Sequence, residues 1–126
     1  MHKGEVGPKE YLEERIRILE AQMAEIDEEA SKREADHEVI IGALERAKET
    51  YTSALLNRDT LRELSLGKDF TEQRQRMHQI IRGVNTGIFD EIRVYGSFLK
   101  SLNAERRQIQ RELSILKLRA RLLDGK

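Results

Sequence analysis

The chain has 126 residues, one proline and no cysteine, and its 23 basic side chains are balanced by 23 acidic ones. A balanced charge gives no overall attraction to nucleic acid or to an anionic membrane, and the lack of cysteine excludes a disulfide framework and thiolate chemistry. Charged residues make up 37% and aromatics 5%, a composition that suits long exposed helices over a thin core and not a globule.

Residues 1–7, with Gly4 and Gly7, read as a short flexible arm. They lack the apolar stretch of a secretory signal, and no later run approaches the ~18 apolar residues of a membrane span. The expectation is a soluble, cytoplasmic chain.

Pro8 sits where a first helical turn tolerates proline, and Glu10, Glu13 and Glu14 follow where negative charge suits the positive end of the helix dipole. From Leu12 to Ser65 the spacing alternates four and three without interruption. Leu12, Ile16, Leu19, Met23, Ile26, Ala30, Ile40, Leu44, Ala47, Tyr51, Ala54 and Leu61 make this seam apolar, with Arg33, His37, Arg58 and Ser65 as its polar members. A heptad held this long specifies a helix that packs along one narrow stripe. The predicted helix runs over 8–66.

Gly67 supplies a stop, Asp69 a cap, and Glu72 follows the cap at three residues. A turn at 67–69 therefore leads into a second helix over 70–124. Its seam contains Ile81, Ile88, Ile92, Tyr95, Leu99, Leu102, Ile109, Leu113, Leu116, Ala120 and Leu123, with Arg74, His78, Asn85 and Arg106 as polar members. Gly83 and Gly87 fall close together, and Met77, Ile81, Val84 and Ile88 fit a slightly different phase. The pattern predicts a kink, a stutter or a break between 82 and 87, and a full break would give three helices.

Two seams joined by one turn specify an all-α fold, a long antiparallel two-helix coiled-coil hairpin over 8–126. Charge agrees: residues 1–38 hold 6 basic against 12 acidic side chains, and residues 100–126 hold 8 against 3. Laid side by side, these segments neutralise each other. Pairing positions whose numbers add to 132 or to 139 matches the seams equally well; the first sets Arg58 opposite Arg74, the second Arg33 opposite Arg106.

Chemistry has few footholds. Glu34 and His37 form half of a carboxylate-bridged di-iron motif, but His78 has Gln75 at the matching position. The favoured reading makes Arg33 and His37 a polar interruption that fixes register, with no metal, cofactor or catalytic residue assigned. A ferritin-like metal protein stays as an alternative. Another is a nucleic-acid-associated protein using Arg106, Arg107, Arg111, Lys117, Arg119 and Arg121, unless these face the acidic first helix.

Apolar residues outside the seams carry the functional expectation. Near the turn these are Leu55, Leu56, Leu64, Leu66, Phe70, Ile80 and Val84, near the open end Ile18, Ile115, Leu118 and Leu122, and midway Val39, Ile41, Phe89, Val94 and Phe98. One seam cannot cover them all. Leu55, Leu56, Leu64, Leu66, Phe70, Ile115, Leu118 and Leu122 are assigned to partner binding, and the chain is read as a non-enzymatic interaction or assembly module. It would serve as structural subunit, adaptor or chaperone, docking helix to helix on a second copy or a larger protein complex.

Overall fold

The computed structural model describes residues 7–65 and 69–125, and the side chains of all of these except 58–65 and 69–70. Two helices account for nearly all of it: α1, Pro8–Ser65, and α2, Asp69–Asp124. They pack against each other as an all-α helical hairpin, with no strand among the described residues. The Gly67 stop signal lies outside the described residues.

Both helix ends follow local chemistry. Tyr11 N–H donates to the Gly7 carbonyl at 3.0 Å, so Gly7 caps the helix and Pro8 occupies its first turn, where its missing N–H costs nothing. Glu10 sits in that turn and Arg121 in the last turn of α2, each matching the sign of the dipole there. Gly125 N–H closes the C-terminus on the Arg121 carbonyl at 2.9 Å.

α2 runs unbroken through 83–87, so the three-helix alternative does not form. The two glycines cost about 1 kcal/mol each relative to alanine, and partial burial of Ile81, Val84 and Ile88 on one side of this stretch offsets that. At Gly87 the bare backbone admits Leu44, whose Cδ2 lies 3.4 Å from where a β-carbon would stand.

The hairpin divides into two compact units. The first takes α1 up to Lys32 and α2 from Ser97; the second takes Arg33 to Gly96. In the first, Leu12, Leu19, Ile26, Leu102, Ile109, Leu113 and Leu116 form the buried core, and Ile16, Met23, Ala30, Phe98 and Ala120 pack on it. All but Phe98 are seam residues. Leu19, only 1% exposed, is the most enclosed.

The second unit is thinner. Leu55 is its one buried apolar side chain among the described residues, and Leu44, Ala47, Tyr51, Ala54, Met77, Ile81, Val84 and Ile88 are half-buried. Here the second seam departs from its expected phase. Met77 and Glu91 turn inward while His78 and Ile92 turn out: the phase read from Met77, Ile81, Val84 and Ile88 is the one that packs, and it runs on to Glu91, one residue earlier than the seam through Ile92. His37 meets Tyr95 and Leu44 meets Gly87, while in the first unit Arg106 reaches Asp27 and not Arg33. The register is therefore the one near 132.

Candidate functional site

Four ion pairs cross between the helices of the first unit and mark its two flanks. Arg15 meets Glu112 at 3.1 Å on one flank; Glu20 meets Lys117 at 3.6 Å on the other. Lys9 with Asp124, and Asp27 with Arg106, complete the set. Asp124 raises the Lys9 pKa above its ordinary value, first by hydrogen bonding and then by its charge.

Residues three or four apart on a helix share a face. Tyr11 and Ile18 therefore lie one turn either side of Arg15, and Ile115 lies one turn from Glu112. Leu118 and Leu122 continue the row. This flank exposes Tyr11 at 62%, Ile18 at 40%, Ile115 at 53%, Leu118 at 52% and Leu122 at 61%. Around Glu20 and Lys117 the same spacing gives, outside the seam, Glu13, Arg17, Ala24, Asp27, Gln110, Ser114 and Arg121, polar but for Ala24. The first unit thus has one flank on which an exposed apolar row runs among Arg15, Gln22, Glu112 and Arg119, and one flank without such a row.

Ion pairing leaves charge over. Two of the crossing pairs set a base of α1 on an acid of α2 and two do the reverse, so they leave the net imbalance of the two segments untouched. Among the described residues, Lys100, Arg107, Arg111, Arg119 and Arg121 make no ion pair, and neither do Glu10, Glu13, Glu25 and Glu29. The outward stripe of α2 at 100, 104, 107, 111, 114, 118 and 121 contains no acid at all. The expected neutralisation of the acidic start by the basic end is met only by Arg106 and Lys117 among the described residues; Arg107, Arg111 and Arg121 face outward.

In the second unit the polar seam residues form a cluster. Arg33 Nη2 donates to Glu91 Oε1 at 2.6 Å, and His37 Nδ1 lies 3.0 Å from the same oxygen. An ionised carboxylate only accepts, so Nδ1 carries the proton. The His37 ring stacks on Tyr95 with centroids 4.0 Å apart and planes 15° from parallel, and the Arg33 guanidinium carbon lies 5.2 Å from the Tyr95 ring centre. Glu91 is only 12% exposed at its side chain. Arg33, and secondarily His37, hold its pKa below the ordinary carboxylate value by hydrogen bonding.

The sequence-predicted residues divide. Leu56, Ile115, Leu118 and Leu122 are exposed and Leu55 is buried; the side chains of Leu64, Leu66 and Phe70 lie outside the described residues. Glu34 is exposed, and the carboxylate on His37 is Glu91. Among the described residues no three His, Cys, Asp or Glu side chains gather as a metal site would need, and no helix is long and apolar enough to cross a membrane. Sequence reading passed over Tyr11 as a flank residue and Glu91 as a seam residue. The first was legible from its seven-residue spacing to Ile18. The second was not, because periodicity is read from apolar residues and Ile92 stands next door. No protein-family model, curated protein or solved structure matches this chain.

Proposed function

We propose that this chain is a non-enzymatic interaction module whose helices present an apolar docking flank to another protein helix. The observation that carries the reading is the row of Tyr11, Ile18, Ile115, Leu118 and Leu122 on one side of the first unit, opposite a flank without such a row. Single exposed apolar residues are ordinary on protein surfaces, but a one-sided row at helical spacing is what a helix-to-helix contact uses.

The test is a photo-crosslinking amino acid placed at Leu118 or, as control, at Arg17, in cells expressing the full chain. Protein adducts from position 118 that are absent from position 17 are expected. Equal labelling at both positions, or no protein adduct at 118, overturns the reading.

A second reading is favoured by the unpaired cations Lys100, Arg107, Arg111 and Arg121 on an acid-free stripe of α2: a phosphate backbone would engage them. Phosphate contacts make binding fall steeply with salt. Retention on DNA or RNA that vanishes between low and moderate salt, and that weakens in Arg107→Glu with Arg111→Glu, would support it.

A further inference from the structure

We infer that the apolar flank of the first unit closes on the same flank of a second copy, in a two-fold dimer whose axis runs parallel to the helices. This inference rests on the docking reading and names its partner. Such an axis leaves heights along the helices unchanged and sets α1 of each copy against α2 of the other. The register fixed by Lys9 with Asp124 and Asp27 with Arg106 then decides what meets what.

Tyr11 stands level with the partner's Leu122, and Ile18 with the partner's Ile115. Each contact occurs twice, so Ile18 and Ile115 from both copies form one four-membered apolar layer, and Tyr11 and Leu122 form the next, one heptad away. Between them Glu14, which pairs with Arg17 of its own helix, comes level with the partner's Arg119, and Glu25 lies within a turn of the partner's Arg111. Glu25, Arg111 and Arg119 are charges that the chain's own ion pairs leave over.

Charge also chooses between the two possible symmetries. A two-fold axis across the helices would set α1 on α1 and α2 on α2, pressing acidic segments together and basic segments together, which costs free energy. The parallel axis sets the acidic segment of α1 against the basic segment of α2, with local like-charge approaches where Glu28 comes level with the partner's Glu105 and Arg15 stands one residue from the height of the partner's Arg119. Size is compatible as well: 25 residues at 1.5 Å each, by two helices of about 10 Å, offer roughly 700 Å² per copy, near the standard size of a stable interface. The product is a closed four-helix bundle at this unit.

The test uses the natural lack of cysteine. Chains carrying Ile18→Cys are mixed with chains carrying Ile115→Cys under mild oxidation. The mixture is expected to form a disulfide-linked dimer much faster than either variant alone, because positions 18 of α1 and 115 of α2 stand level and adjoin across the interface. Sedimentation equilibrium of the unmodified chain is expected to give a dimer, weakened about tenfold or more by Ile115→Glu with unchanged helical circular dichroism. A monomer at every concentration, or faster linkage of Ile18→Cys chains to each other, overturns the dimer. If position 118 still crosslinks to another protein in cells, the docking reading stands and only the second copy falls. If it does not, both fall.

Discussion

Glu91 and Ile92 are neighbours in sequence, yet the charged residue is turned into the contact between the helices, 12% exposed at its side chain, and the apolar one is turned out, 54% exposed. Burial of a carboxylate costs free energy unless cations and donors surround it. Arg33 and His37 both reach the same oxygen of Glu91, which satisfies the carboxylate there. Glu91 follows Met77 and Val84 at seven-residue spacing and continues the inward phase that those apolar residues hold.

Replacing Glu91 by alanine should therefore destabilise the chain more than replacing Ile92. Without the carboxylate, Arg33, which already has one buried Nη1 without a hydrogen-bond partner, loses its counter-charge. A fall of several degrees in thermal midpoint is expected for Glu91→Ala, and little change for Ile92→Ala. Equal effects, followed by circular dichroism, would show that Ile92 contributes as a core residue.

Acid should erase the contribution of Glu91. Its folded pKa is depressed, chiefly by the Arg33 hydrogen bond and then by His37, from an ordinary value of 4.5. A carboxylate with a depressed folded pKa adds stability that is fully present above its unfolded pKa and is lost as pH falls through the folded one. Urea unfolding of the chain and of Glu91→Gln should differ at about pH 5, and the two should converge as pH falls below about 4.5 and through the depressed folded pKa. A difference that grows as pH falls below about 4.5 would contradict the assigned pairing.

Core and flank should respond differently to truncation. Leu19→Ala removes the most enclosed side chain and is expected to cost about 2–5 kcal/mol. Leu118→Ala should cost less than about 0.5 kcal/mol in the isolated chain, since that side chain is half in water. Denaturant titrations at a concentration low enough to keep the chain dissociated would distinguish them.

The two central glycines of α2 should differ. A β-carbon at Gly83 would meet nothing within 4 Å, whereas at Gly87 it would touch Leu44. Gly83→Ala should stabilise by about 0.5–1 kcal/mol through helix propensity. At Gly87 the gain should be larger, because the added β-carbon also takes up ordinary van der Waals contact with Leu44. A smaller gain at Gly87 than at Gly83, measured by thermal unfolding, would contradict the room beside Leu44.

The two helices and the core of the first unit were legible because apolar residues at four-three spacing have one way to be buried together. Leu12, Leu19, Ile26, Leu102, Ile109, Leu113 and Leu116 all lie on the predicted seams. Two things were not legible. The inward turn of Glu91 depends on cations that only the fold brings near. The orientation of Arg107, Arg111 and Arg121 was hidden by total charge, which suggested neutralisation, although their seam spacing places them on the outward side.

The carboxylate shared by Arg33 and His37 also bears on mechanics. When two heptad helices are pulled past each other, the apolar layers can reseat after sliding seven residues, about 10 Å. Glu91 would by then have left both of its partners behind. The cluster thus works like the pawl of a ratchet, resisting creep under shear in the second unit, where apolar grip is weakest.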